Sequence, residues 1–258
     1  MENDFLNAVL LSSDDNSDPS TKSLADKAYE CIKRNIYNGT LPLNEPVSQA
    51  YFAEMCNVSR TPLREAIRKL EHEGLVVIKP NKRIYIPALT AEEIDQMVAS
   101  RMLVQSAAFL ASFPYLNDED FDFMQARLDD MSDCIKNDDL EGSRKAHKFF
   151  HDEMFKYAGP YLRKLQQYFV EQSKRYRSIY YQAYSFDEVK LNEHRLILKA
   201  CRENRAGDAV EMLNTHTATV GMITLAFVDP LYECVNLRSM LKMLKSLDTT
   251  DIVSLKKI

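Results

Sequence analysis

The stretch from Val58 to Leu70 predicts a helix with two contrasting faces. Ser59 is placed to cap its start, because a serine hydroxyl can accept a hydrogen bond from a backbone N–H of the first turn. Its apolar residues recur every three or four positions, which is the helical spacing, and its basic residues fall on the other side. The apolar residues are Leu63, Ala66, Ile67 and Leu70, and the basic ones are Arg60, Arg64, Arg68 and Lys69. Such a helix needs a core behind it and suits an acidic surface, although a merely solvated charged face is the alternative.

The segments on either side predict a winged helix-turn-helix domain over residues 22–88. We predict helices over 22–38 and from Ser48 to about Cys56, a rigid turn over 41–46, and strands over 75–78 and 84–86. Asn57 would form the turn into the arginine-rich helix, since asparagine tolerates the left-handed conformation. The two strands would form a hairpin with a basic tip, which is typical of the wing.

Charge is unevenly distributed along the chain. Residues 1–21 hold five acidic and no basic residues and are predicted to form a disordered acidic tail. Residues 22–88 hold 11 Lys and Arg against 7 Asp and Glu, whereas the net charge of the whole chain is −5. A basic excess confined to the segment with the arginine helix favours a nucleic-acid partner.

Residues 89–258 predict an all-helical bundle of six or seven helices, so the fold class is mainly α. The predicted helices span about 90–112, 117–136, 139–158, 161–182, 186–203, 206–227 and 231–247. We find no apolar run long enough for a membrane span, and no secretory signal. Five scattered cysteines without a CxxC pair fit a reducing cytoplasm.

Four of the five histidines lie in this second part of the chain. His147 and His151 are four residues apart and therefore project from one face of a predicted helix, and His194 and His216 lie on two further helices. An HxxxH pair with two more histidines nearby is a recurrent way to bind zinc or nickel, since imidazole suits those metals. The alternative is that these are surface or hydrogen-bonded core histidines.

Three stretches of the first part, residues 39–42, 58–66 and 70–76, carry a family pattern. On these residues the segment 24–87 resembles the DNA-binding domain of the GntR family of bacterial transcription regulators. The resemblance implies that a homodimer inserts two recognition helices into successive major grooves of a near-palindromic operator. Arg60 and Arg64 are the expected base readers, and the further expected DNA contacts are Ser59, Thr61, Arg68, Lys82 and Arg83.

The second part resembles the FCD domain, the helical effector domain of the FadR-like branch of that family. The resemblance covers roughly residues 90–228 and includes residues 150–155, 193–200 and 206–216. It implies a divalent metal held by an aspartate and three histidines, which map to His151, His194 and His216. His147 occupies the aspartate position. We therefore expect an all-histidine site that favours an anionic ligand.

In this family an arginine of the first FCD helix helps to hold the carboxylate of the effector. Arg101 is the matching position, and a guanidinium suits bidentate capture of a carboxylate. The resemblance therefore implies that Arg101 contributes to effector binding. An exposed helix residue is the alternative.

These patterns predict a ligand-responsive, DNA-binding transcription regulator of the repressor type rather than an enzyme. The expected effector is a small organic acid bound at a zinc or nickel ion. One alternative is a regulator that binds an acyl-CoA-like ligand without metal. A less favoured alternative is a metal-dependent hydrolase with an appended DNA-binding domain, in which Asp152 or Glu153 would act as general base.

Overall fold

Helices dominate the computed structural model, which describes residues 23–80, 83–183 and 188–246. The chain divides into two compact units: the part ending at Thr90, together with residues 174–179, and the part comprising Ala91–Ser173 and the chain from Tyr180 onward. The predicted mainly α fold, a winged helix-turn-helix followed by a helical domain, is confirmed. The predicted tail, residues 1–21, and the wing residue Lys82 lie outside the described residues.

Three helices build the first unit: α1 (Leu24–Tyr37), α2 (Gln49–Cys56) and α3 (Arg60–His72). Serine side chains cap the first two, since Ser23 accepts from the Asp26 N–H and Ser48 from the Tyr51 N–H, each at 3.1 Å. Asn57 takes the left-handed conformation, with φ of 51°, and so turns the chain from α2 into α3. The apolar face of α3 is fully buried, as its spacing predicts.

The predicted hydroxyl cap of α3 is wrong. Ser59 does occupy the N-cap position with extended backbone angles, but its side chain makes no capping hydrogen bond. A cap of this kind bonds the N–H of the second or third helical residue, and the third residue here is Pro62, which has no N–H. Pro62 suits the first turn of a helix, but it removes one of the two backbone N–H groups that could donate to the Ser59 hydroxyl.

The wing is a short antiparallel hairpin of β1 (Val77–Ile78) and β2 (Ile84–Tyr85). It is shorter than the sequence predicts, because the Leu75 N–H bonds the Leu70 carbonyl at the end of α3, at 2.9 Å, and not a neighbouring strand. The segment 43–47, which overlaps the predicted rigid turn, also pairs with the second strand: Val47, directly after that turn, and Ile84 exchange backbone hydrogen bonds of 2.8 and 3.0 Å. Since β2 has β1 on one edge and this segment on the other, its backbone groups are satisfied on both sides.

The second unit contains seven described helices, one of which also contributes residues 174–179 to the first unit. They are α4 (Ala91–Ser112), α5 (Asp118–Lys136), α6 (Leu140–Met154), α7 (Pro160–Ala183), α8 (Glu188–Arg202), α9 (Ala206–Val228) and α10 (Val235–Lys245). Helix α6 ends four residues earlier than predicted, and Gly159 at φ of 79° leads into Pro160, the first residue of α7. None of the described helices combines the length and the apolarity that crossing a membrane requires.

Asp95 ties the last helix to the first helix of this unit. It is fully buried on α4, and its carboxylate accepts hydrogen bonds from the backbone N–H groups of Asn236 and Leu237, at 2.9 and 2.8 Å. The Asn236 amide and the Tyr232 hydroxyl also donate to it. Asp95 therefore caps α10 from another helix, and its negative charge faces the positive end of the α10 dipole.

We expect Asp95→Ala to lower the free energy of unfolding by about 1–3 kcal/mol, because it leaves buried donors of α10 without an acceptor. Urea unfolding followed by circular dichroism measures this. Glu92→Ala is the matched control, since Glu92 is exposed on the same helix and should change stability by less than about 0.5 kcal/mol. Equal stability of the two variants would show that the cap does not hold α10.

Candidate functional site

The four histidines of the second unit meet at one point. His147 and His151 come from α6, His194 from α8 and His216 from α9. Their ligand atoms all lie within 4.8 Å of one another. Spacing along α6 alone places two of them together, whereas the packing of α8 and α9 supplies the others.

The distances within this cluster suit a metal ion. The Nε2 atom of His151 lies 3.2 Å from Nε2 of His147 and 3.1 Å from Nε2 of His194. With metal–nitrogen bonds of about 2.0–2.1 Å, two ligand nitrogens are separated by about 2.9 Å at a right angle and by about 3.4 Å in a tetrahedron. The observed separations lie between these values, so the cluster can hold a divalent metal ion.

Hydrogen bonds from Nδ1 fix the orientation of two of the four imidazoles. His194 donates from Nδ1 to the carbonyl oxygen of Lys190 at 2.7 Å, and His216 donates from Nδ1 to the Glu193 carboxylate at 2.7 Å. An imidazole that donates from Nδ1 and is uncharged carries its lone pair on Nε2. Both rings therefore offer a lone pair to the cluster, in the arrangement that metal-ligating histidines usually show.

Burial keeps these two imidazoles neutral. His194 is fully buried, which lowers its pKa to about 3. Burial also lowers the pKa of His216, although its hydrogen bond to Glu193 acts in the opposite direction. Burial by itself would raise the pKa of Glu193, but the contacts with His216 and Lys190 together outweigh it and the pKa is lowered. At neutral pH the pair is an imidazole bonded to a carboxylate, and the imidazole is available as a ligand.

An apolar wall and an open groove border the cluster. The buried ring of Phe150 lies 5.4 Å, between centroids, from both His151 and His194. Glu193 and His216 also help to line a cavity of 430 Å³ between α8 and α9. The carboxylate that contacts His216 is therefore reached from this cavity.

Arg101 lies close to the cluster, as the effector hypothesis requires. It is buried on α4, and its guanidinium donates to the Ser173 hydroxyl at 3.3 Å. Its positive charge is near enough to His216 to lower the pKa of that imidazole. The alternative, an exposed Arg101, is therefore wrong. The guanidinium of Arg101 lies near the histidine cluster.

Gln105, one turn beyond Arg101, belongs to a buried polar network. Its amide donates to the Asn214 side chain at 3.0 Å and to the Thr217 hydroxyl at 2.9 Å, and Asn214 donates to Ser106 at 2.8 Å. Because Asn214 and Thr217 flank His216 on α9, the network fixes how α9 is placed against α4.

Apart from Lys82, which lies outside the described residues, the residues expected to contact DNA are exposed on the first unit. Arg60, Arg64 and Arg68 are exposed and four residues apart, so they form a row along one side of α3. Ser59 and Thr61, at the start of α3, and Arg83, just before β2, are exposed as well. Lys69 instead pairs with Asp26 of α1 at 2.6 Å.

A polar contact at the far end of α3 holds this helix against α1. The Tyr29 hydroxyl donates to Glu73 at 2.5 Å, and the Lys33 ammonium contacts the Tyr29 oxygen and the other Glu73 oxygen at 2.6 and 3.2 Å. Burial, followed by the contact with Glu73, raises the pKa of Tyr29. The contact keeps the arginine row on the outer side of the packed helices.

Sequence patterns alone did not identify the groups behind the histidines. The Lys190 carbonyl has a local signal, because it lies four residues before His194 on the same helix. Glu193 has none, since its partner His216 is 23 residues away on α9. Only the packing of the two helices brings that pair together.

Known families match both units. The family described as bacterial regulatory proteins of the gntR family matches residues 24–86, and the FCD domain matches residues 96–219. The HTH-type regulator YdhC of Bacillus subtilis is 26% identical over 191 residues, which is 73% of this chain and 85% of YdhC. The HTH-type repressor RspR of Escherichia coli K12 is 24% identical over 199 residues, 76% of this chain and 86% of RspR.

Solved structures share the fold. McbR/YncC of E. coli superposes with a TM-score of 0.65 at 18% identity, covering 83% of this chain and all of that one. A GntR transcriptional regulator from Rhodococcus sp. RHA1 gives a TM-score of 0.64 at 20% identity, covering 82% of this chain and all of that one.

We expect the protein, purified without a histidine tag, to bind one divalent ion per chain. Binding should raise stability by about 2.7 kcal/mol at a free metal concentration 100 times the dissociation constant. Mass spectrometry of the metal content and thermal unfolding measure this, and His151→Ala/His194→Ala should abolish both effects. The matched control is His72→Ala, because His72 is the exposed histidine at the end of α3. Metal retained by the double variant would exclude the cluster as the site.

Proposed function

Since this chain belongs to the GntR family of bacterial transcription regulators and combines its helix-turn-helix domain with an FCD domain, we propose that it is a cytoplasmic, homodimeric repressor whose operator binding responds to a small carboxylate held at a metal ion. The observation that carries the sensor part is the convergence of four imidazoles beside the buried guanidinium of Arg101.

For DNA binding, α3 is the recognition helix. Arg60 and Arg64 project from its exposed face near its start, which is the part of a recognition helix that meets base edges. Each can pair with the O6 and N7 acceptors of a guanine. Ser59, Thr61, Arg68, Lys82 and Arg83 would contact phosphates or a neighbouring groove and so set the register. Two copies would read two half-sites one helical turn apart.

For sensing, His147, His151, His194 and His216 hold a zinc or nickel ion. Neutral imidazole nitrogens suit both metals, and no carboxylate is among these four residues. The bound ion supplies positive charge that attracts an anionic ligand. Arg101 adds a second positive group with the planar shape that carboxylates pair with.

The two units communicate if the ligand binds one arrangement of the dimer better than another. Differential affinity is the requirement for any such coupling, and the coupling is reciprocal: the ligand changes DNA affinity as much as DNA changes ligand affinity. Helix α4 is well placed to carry the signal, because it holds Arg101 and begins directly after the first unit ends at Thr90.

We expect Arg64→Ala to weaken binding to the selected operator by about 1–3 kcal/mol and to relax base preference at one position of each half-site. The operator is first recovered by selection from random duplexes, and affinity is then measured by fluorescence anisotropy. Arg238→Ala, an exposed arginine of α10, is the control and should bind like wild type. Unchanged affinity in Arg64→Ala would remove α3 as the reading helix.

We expect a panel of small mono-, di- and tricarboxylates to contain a compound that shifts operator affinity by about 1–3 kcal/mol, but only in the metal-loaded protein. Arg101→Gln should lose this response while retaining operator affinity without ligand, which shows that the variant is folded. A response equally strong in metal-free protein, or obtained only with acyl-CoA thioesters, would contradict a metal-bound carboxylate effector.

A further inference from the structure

One turn of α8 supplies His194, one of the four histidines of the cluster. It also supplies the hydrogen-bond acceptors for the Nδ1–H groups of His194 and His216. Lys190, Glu193 and His194 are related by three and four residues and therefore lie on one side of the helix. The Lys190 carbonyl accepts the Nδ1–H of His194, and the Glu193 carboxylate accepts the Nδ1–H of His216 on α9, both at 2.7 Å. This turn thus orients two of the four imidazoles, on two different helices.

We propose that Glu193 is a positioning residue that sets the metal affinity of the cluster through His216, and that the Lys190 ammonium opposes it. The carboxylate holds Nε2 of His216 toward the ion and increases the electron density that this imidazole donates. This inference rests on the proposed function, because it presumes that the four histidines bind a divalent ion.

The charge balance of the cluster makes this contact important. Four neutral imidazoles leave the full charge of a divalent ion uncompensated within the ligand set. His147 stands where the family resemblance implies an aspartate, so the first ligand position contributes no negative charge. Glu193 brings a carboxylate to one hydrogen bond from a ligand, His216, at 2.7 Å. Such partners of a metal-bound histidine typically change metal affinity about 10- to 100-fold.

Lys190 acts on the same carboxylate with the opposite sign. Its ammonium lies 3.4 Å from the second oxygen of Glu193, and the two side chains are 13% and 32% exposed. A cation at this position weakens the electrostatic effect of the Glu193 carboxylate on His216, and it repels a divalent ion nearby. Its backbone carbonyl, which orients His194, is unaffected by a change of side chain. Removing the ammonium should therefore strengthen metal binding.

Glu211 provides a matched control for the charge of Glu193. It lines the same 430 Å³ cavity, from α9, and its carboxylate pairs with Lys245 at 3.1 Å. Glu193→Gln and Glu211→Gln remove the same charge by the same chemical change at the wall of one cavity. A general electrostatic effect would lower metal affinity similarly in both variants, whereas a contact through His216 affects only the first.

The experiment measures dissociation constants of Zn²⁺ and Co²⁺ by competition with a chromophoric chelator, for wild type and four variants. We expect Glu193→Gln, whose amide oxygen can still accept from Nδ1, to weaken binding about 10-fold, and Glu193→Ala about 100-fold. Lys190→Met should strengthen it about 2- to 5-fold, the size of a partly screened ion pair. Glu211→Gln should match wild type.

Two further readouts separate this role from a purely structural one. The visible spectrum of bound Co²⁺ should change in Glu193→Ala, because the orientation of one ligand is lost. The melting temperature of metal-free Glu193→Gln, which keeps an acceptor for the buried Nδ1–H of His216, should stay as in Glu211→Gln. If wild type binds metal and both Glu193 variants bind it equally well, or if Glu193→Gln and Glu211→Gln weaken it alike, the proposed role of Glu193 is overturned. If wild type itself binds no metal, the metal-dependent part of the proposed function fails with it.

Discussion

Both ring nitrogens of a buried imidazole need a hydrogen-bond or metal partner, and this requirement governs how the histidines of the second unit are arranged. His194 is fully buried, and its Nδ1–H bonds the carbonyl one turn earlier on its own helix. That bond turns Nε2 toward α6, where Nε2 of His151 lies 3.1 Å away. Two nitrogen lone pairs cannot face each other at this distance without a proton or a cation between them. The packing of α6 against α8 thus places ring nitrogens around a point that could hold a metal ion.

Other buried polar groups decide how the helices around this point are arranged. The network of Gln105, Asn214 and Thr217 joins α4 to α9 directly beside His216. Asp95 holds α10 on α4 with two backbone N–H groups. Apolar side chains can be repacked in several registers, whereas each of these polar groups is satisfied in only one. The cluster and Arg101 therefore keep their relative places.

In the first unit, the two faces of α3 have different roles. The buried face of α3 holds the three-helix core together, and the exposed face carries the arginines Arg60, Arg64 and Arg68. Lys69 is the exception among the basic residues of α3, because it pairs with Asp26. Ser59 remains exposed at the start of α3 without a capping bond.

The sequence by itself determined what depends on local periodicity: helix positions, the exposed arginine row, and the pairing of His147 with His151 on one face. Helix period and cap residues are properties of a few neighbouring positions, so they can be predicted without knowledge of the rest of the chain. Only the tertiary structure decided that Val47 pairs with Ile84 of β2, that Asp95 caps α10 from another helix, and that Glu193 meets His216. Those partners lie up to 142 residues apart, and a hydrogen bond between distant segments follows from packing, which no local pattern records.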